Sequence, residues 1–328
     1  MQPSEVQSNP ASTAPLVSVV IPTFNRPEYL RLALQSVVNQ TCRDLEIIVH
    51  DNASRLDPSG VVAAFGDPRI HYWRNPATVS VTANVIAACS RARGKYLALL
   101  GDDDLWYPDF LETLVAPLER DADLVLAFCD HEIIGPEGNK REAETEKVSR
   151  GFQRHRLREG IYKPFDEIAL VDRSICVLTA SVLRRSDIDL KGVPGEIGSG
   201  PLDHYLAYLA TRTAKGCFYT PRRLAQYRYH SGSLNMRHRT PREHIDNSLA
   251  AMCFWRALLN DRALKRSWHY FQMKIGYNAL RVIVSLARCG DWRGAWQQLR
   301  RFWHEGALVP RIVFYHLHYA LRLHRLRA

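Results

Sequence analysis

GKYLALLGDDDLWYPD, residues 94–109, is the stretch whose reading decides the fold. Tyr96 to Leu100 is a short, uninterrupted apolar run, as expected of a strand buried on both faces. It stops at Gly101 and delivers three consecutive carboxylates, Asp102, Asp103 and Asp104, before Pro108 opens a helix. Three adjacent carboxylates repel one another unless a cation lies close. Their oxygens suit Mg2+ or Mn2+ with open water positions, and such an ion can bridge the oxygens of a diphosphate. The competing reading is a solvated acidic turn ahead of a helix, where negative charge is favoured. A position at the end of a buried strand favours the metal.

The same pattern repeats on either side. Leu16 to Ile21 reads as a strand ending at Pro22, and Pro27 opens a helix carrying Tyr29, Leu30, Leu34, Val37 and Val38 on one side. Leu45 to Val49 is a second strand, ending at His50-Asp51-Asn52. A weaker helix is expected over Pro58 to Phe65, a strand over Ile70 to Trp73, and a helix over Val81 to Arg93 stopped by Gly94. Leu124 to Phe128 is a further strand. This alternation predicts an α/β fold, a mixed and mainly parallel sheet with helices on both faces. Ligands bind such sheets at the carboxyl ends of the strands. Pro22 to Arg26, His50 to Asn52 and Gly101 to Asp104 all fall there.

Taken together, VSVVIPTFNRPEYLRLALQSVVNQT, LEIIVHDNAS and TANVIAACSRARGKYLALLGDDDLWYPD resemble the family 2 glycosyltransferases of the GT-A, Rossmann-like fold. The resemblance covers residues 16–130 closely and continues more loosely to about 235. It implies an inverting transfer from a UDP-, GDP- or dTDP-sugar with a divalent metal, Mn2+ or Mg2+. It places Pro22, Thr23, Asn25 and Arg26 in the loop that holds the nucleotide, Asp51 on the base, and Asn84 near the ribose and diphosphate. Asp102 and Asp103 match the acidic pair, with Asp103 on the metal. His50 and Gly101 stand where many members carry further acids. GPLDHYLAYLA and FYTPRRLAQYRYHSGSLN resemble the family's acceptor-side helix and following strand. Asp203 is then the catalytic base, with a helix N-cap as its competing role, and His230 contacts the metal or the diphosphate. Arg26 and the metal would stabilise the leaving diphosphate, a type of contribution on the order of 3–4 kcal/mol for one well-placed donor. Arg222, Arg223 and Arg228 are further basic residues nearby.

The rest of the chain is read from composition. Residues 135–165 are polar, Gly192 to Gly200 reads as a mobile loop, Asp203 to Thr213 as a helix, and Cys217 to Tyr219 and Leu224 to Tyr229 as two strands. Seven scattered cysteines without a C-x-x-C pair argue against a disulfide framework or zinc site. No transmembrane run occurs, and Met1 to Pro15 reads as a disordered lead-in to a cytoplasmic protein. The expected layout is a lead-in over 1–15, a catalytic domain over 16–240 and a basic helical segment over 241–328. Within the catalytic domain, the nucleotide half spans about 16–130 and the acceptor half about 131–240.

That last segment holds 15 Lys and Arg against 5 Asp and Glu, equal to the whole chain's net +10, and five of the seven tryptophans. Its end, RIVFYHLHYALRLHRLRA, could hold the protein peripherally on an anionic membrane near a lipid-linked acceptor. The other reading is a helical layer packed on the body or on a second copy, as a homodimer. The neutral body and the absence of a recognised motif argue against nucleic acid. A sugar-phosphate nucleotidyltransferase would carry a Gly-rich loop after the first strand, and IPTFNRPE has no glycine. A glycan-binding relative without activity is the third alternative. The expected acceptor is a glycan or lipid-linked hydroxyl, in synthesis of a cell-surface polysaccharide or glycoconjugate.

Overall fold

A computed structural model describes residues 14–190, 193, 202–233 and 240–307. Residues 1–13 of the expected lead-in, the loop over 192–200 except residue 193, and the terminal stretch 308–328 lie outside the described residues.

The apolar runs become strands as read. β1 (Val17–Thr23), β2 (Leu45–Asp51), β3 (Ile70–Arg74) and β4 (Tyr96–Leu99) pair in parallel, in the order β3-β2-β1-β4. Between them run α1 (Pro27–Val38), α2 (Ser59–Ala63) and α3 (Val81–Cys89). Gly94 enters β4 so closely packed that a Cβ there would meet the Ser18 amide nitrogen at 2.5 Å.

Beyond β4 the sheet becomes mixed. After the two-residue β5 (Leu105–Trp106) and α4 (Phe110–Arg120) comes the long β6 (Leu124–Ile134). The polar stretch that follows is ordered as α5 (Glu142–Gly151) and β7 (Gly160–Tyr162). β8 (Ser181–Arg184) then inserts antiparallel between β4 and β6, so β4 and β6 point the same way. After α6 (Leu202–Thr211), β9 (Gly216–Arg228) runs parallel to β6 as one continuous strand where two were expected. Among the described residues the sheet has nine strands, in the order β3-β2-β1-β4-β8-β6-β9-β5, with β7 on β9.

Alternation along β1 sends Val17, Val19 and Ile21 to one face, where they join Leu30, Leu34 and Val37 of α1 and Phe110, Leu111 and Leu114 of α4. Val20, Leu97 and Leu99 face the other side, with Val85 of α3 and Leu206 of α6. This second core extends into α7 (Pro241–Leu259) and α8 (Trp268–Arg288), contributing Phe254, Trp255, Phe271 and Ile275. α9 (Trp292–His304) packs Phe302 against them. The described part of the basic segment is therefore a layer of the same core. None of the described helices is long and apolar enough to cross a membrane.

Candidate active site

Strands β1, β2, β4, β6 and β9 end on one side of the sheet because β8, antiparallel to both β4 and β6, leaves those two running the same way. In β1 and β2, Pro22 is in register with His50 and Thr23 with Asp51. β5 clips to β9, with Leu105 opposite Gln226, which swings the acidic turn toward His230. Gly101 makes that turn compact: a Cβ there would lie 2.9 Å from Asp104 Oδ2 and 3.1 Å from Asp103 Oδ1.

The three acids have three different surroundings. Asp102 is buried; it accepts from Thr23 Oγ1 at 2.8 Å, the Phe24 N–H at 3.1 Å and Arg26 Nη1 at 2.9 Å. Burial pushes its carboxyl up, against the pull of Arg26. Asp104 accepts from Thr179 Oγ1 at 2.6 Å and the Arg228 N–H at 2.8 Å, and burial beside Asp103 pushes it well above the usual range. Asp103 is the more open member of the Arg26-bound pair, its side chain 14% exposed against 6% for Asp102. Arg26 Nη1 and His230 Nε2 both lie 2.9 Å from its Oδ2. Arg26 also donates to the Gly232 carbonyl at 2.6 Å. The repulsion read from the sequence is thus offset here by a guanidinium that bridges two of the acids.

Arg228 does not face outward. It is buried, donating to the carbonyls of Asp103, Gly135 and Pro136, with its guanidinium 4.9 Å from the Tyr29 ring, which itself lies 4.8 Å from the His230 ring. Arg222 pairs with Asp109, and Arg223 with Glu142 and Glu146.

Asp51 is fully buried at the end of β2. It accepts from the N–H and, in a short contact, the hydroxyl of Ser54, from Tyr72 OH at 3.3 Å, and pairs with Arg74 Nη1 at 3.2 Å. Ser54 Oγ also accepts the Asn25 N–H at 2.8 Å, and Asn25 Oδ1 accepts the Arg55 N–H at 2.7 Å. Asn25, at φ 58, thereby ties the first loop to the second. Asn84 Oδ1 lies 2.9 Å from both His50 Nδ1 and Asn75 Nδ2.

Asp203 stands in the first turn of α6. Its Oδ1 accepts the Leu178 N–H at 2.9 Å, while the next residue, Thr179, holds Asp104. Two consecutive residues therefore link the carboxylate of Asp203 to the acidic turn. Burial raises the Asp203 carboxyl to about 6, opposed by the amides of Leu178 and Val177 and by Arg154.

The comparisons decide the family. Residues 18–184 match the model for Glycosyl transferase family 2. The chain belongs to that family. The GalNAc(5)-diNAcBac-PP-undecaprenol beta-1,3-glucosyltransferase of Campylobacter jejuni is 35% identical over 128 residues, 38% of this chain and 40% of that protein. The chain spans less than half the length of the curated relatives it matches most strongly. Among solved structures, a mannosyltransferase from Pyrobaculum calidifontis in complex with GDP-Man and Mn2+ is similar over 98% of this chain and 84% of that one, with a TM-score of 0.58 and 16% identity. TarS of S. aureus (residues 1–349) in complex with UDP-GlcNAc is similar over 87% of this chain and 91% of that one, with a TM-score of 0.55 and 14% identity. These likenesses are of fold, and GT-A describes it.

Among the described residues, no three His, Cys, Asp or Glu side chains form a ready metal cage. Asp103 and His230 do meet at one oxygen. A carboxylate and an imidazole fit a divalent ion whose remaining ligands come from a diphosphate and water. In this family 2 member the sequence reading missed Ser54, Tyr72, Arg74, Thr179 and the bracing role of Arg228. Ser54, three residues after Asp51, had a local turn signal. The others act across long sequence separations and had none.

Proposed function

We propose that this chain transfers a sugar, with inversion, from a UDP-, GDP- or dTDP-sugar to a hydroxyl of a glycan or lipid-linked acceptor, in synthesis of a cell-surface polysaccharide or glycoconjugate. The observation that carries the reading is the convergence of Arg26, Asp103 and His230, from the ends of β1, β4 and β9, on one carboxylate oxygen beside the loop that follows the Asp51 strand. The donors in the two solved neighbours, GDP-Man and UDP-GlcNAc, and the diphosphate-lipid acceptor in the Campylobacter enzyme's name support the substrate classes.

In this reading Pro22, Thr23, Asn25 and Asp51 form the floor under the nucleoside, and Asn84 stiffens it from behind. Asp103 and His230 would hold Mn2+ or Mg2+, which when bound supplies positive charge to the departing diphosphate. Asp102 keeps Arg26 pointed at the same place. On the acceptor side, Asp203 takes the hydroxyl proton as that oxygen attacks the anomeric carbon. The bond from this carbon to the diphosphate oxygen breaks, and the nucleoside diphosphate leaves with the electron pair. Attack opposite the leaving group inverts the configuration. The Asp203 carboxyl at about 6 is ionised, yet basic enough to accept a proton, near neutral pH.

The test is a screen of the purified chain against a panel of nucleotide sugars with Mn2+, Mg2+ or EDTA, following donor turnover and the anomeric configuration of the product. Turnover of one donor, dependent on the cation and yielding the inverted product, is expected. Retained configuration, or equal turnover in EDTA, would overturn the corresponding part.

A further inference from the structure

The C-terminal layer divides its tryptophans in two. Trp255 is buried and Trp268 half-buried, whereas Trp292, Trp296 and Trp303 of α9 are 72%, 62% and 54% exposed. At about 100° per residue the three indoles fall within an arc of about 40°. Ala295 and Phe302, both buried, point to another side and seat the helix on the core. Asp291 caps its first turn by accepting the Gly294 N–H at 2.7 Å. The indoles are thus displayed by an anchored helix, and an apolar stripe of this kind on a surface marks an interaction face.

Charge says what kind. Within Trp292–His304 there are three arginines and no acid. Arg301 is tied to Glu305 at 2.8 Å. Arg293 and Arg300 are exposed, flank the tryptophan stripe on its outer side, and make no ion pair among the described residues. Indoles beside unpaired arginines suit the boundary between lipid headgroups and acyl chains. A two-fold pairing of α9 with a second copy would instead bring these arginines toward one another, which like charge disfavours.

We infer that α9 lies in the plane of an anionic lipid surface, its three indoles at the headgroup boundary and Arg293 and Arg300 on lipid phosphates. This locates the docking face on α9 itself, where the sequence pointed to the final residues. It concerns where the protein sits, and stands independently of the transferase chemistry.

The experiment uses the full chain with phosphatidylcholine vesicles, with and without phosphatidylglycerol. Co-sedimentation is expected only with the anionic vesicles, weakening as salt rises. Two variants are compared: Trp292→Ser/Trp296→Ser/Trp303→Ser and Arg293→Glu/Arg300→Glu. Each should lower vesicle affinity by about tenfold or more, with an unchanged thermal melt and unchanged nucleotide binding. Wild-type affinity in both variants overturns the inference and assigns attachment to other residues. Indifference of the wild type to anionic vesicles also overturns it. A dimer seen in sedimentation velocity and abolished by the tryptophan variant would then make the stripe a contact between copies.

Discussion

Asparagine at position 203 would keep one oxygen to accept the Leu178 N–H at 2.9 Å, while it removes the charge and replaces the second oxygen by an NH2 donor. Two opposite effects are expected from that one change. Transfer should fall by 10²–10⁴-fold, the usual contribution of a general base. Stability should rise. Burial lifts the Asp203 carboxyl from 3.8 to about 6, so keeping it ionised in the folded protein costs about 3 kcal/mol. Asparagine avoids that cost. Against this stand a weaker hydrogen bond and a buried NH2 group, each costing about 1 kcal/mol, which leaves a net gain of about 1 kcal/mol.

The sign follows from linkage. The folded carboxyl titrates above the unfolded one, so the folded state holds the proton more tightly. The stabilisation this gives is full below about pH 4 and is lost as pH rises through about 6. The advantage of Asp203→Asn should therefore be absent near pH 4 and complete by pH 8. Urea denaturation at the two pH values measures it, beside a transfer assay on the same preparations. An equal difference at both pH values, a variant less stable at pH 8, or more than about a tenth of the wild-type rate would refute the reasoning.

Four further outcomes are expected. The rate of wild-type transfer should rise through about pH 6 as Asp203 ionises, and a profile flat from pH 5 to 8 would remove it as the base. Asp103→Asn should abolish transfer with an unchanged melt, and calorimetry should show EDTA weakening nucleoside diphosphate binding by on the order of a hundredfold. Arg154→Met leaves the buried Asp130 without its partner at 3.0 Å, and should cost about 3–5 kcal/mol in chemical denaturation. Phe271→Ala empties a fully buried position within the helical layer, against Trp255 of α7, and should cost about 3–5 kcal/mol in one cooperative transition. Two separate transitions in wild type would instead show the layer to fold alone.

Most of residues 16–130 was legible because β1, β2 and β4 are buried on both faces and read as mainly apolar runs. Residues 131–240 and the end of β6 were harder for identifiable reasons. β8, SVLR, is four residues long and ends in an arginine whose charge is buried by carbonyls of Leu118, Asp121 and Leu124. β6 was expected to stop at Phe128 but continues through Asp130, His131 and Glu132. Arg154 lies against the first two, and Tyr107 and Lys140 bond the third. Nothing local to CDHE announces those partners. The sequence reads as two strands separated by Thr220 to Arg223, whereas the structure absorbs these residues in a register shift opposite Cys129 and Asp130. In the site, the acids and the first loop carried local signals. That Asp103 would meet His230, 127 residues away, depended on β5 clipping to β9, a two-residue strand below the reach of periodicity.

The shared core has a mechanical consequence. The carboxylate of Asp203 rides on the first turn of α6, and α6 rests on α7 through the His204–Trp255 and Tyr205–Phe254 ring contacts. α7 in turn lies on α8 and α8 on α9, which carries the outward indoles. A load applied at α9 therefore has a path through packed helices back to Asp203, running against the order of the chain. α9 thereby braces, through α8 and α7, the helix that carries Asp203.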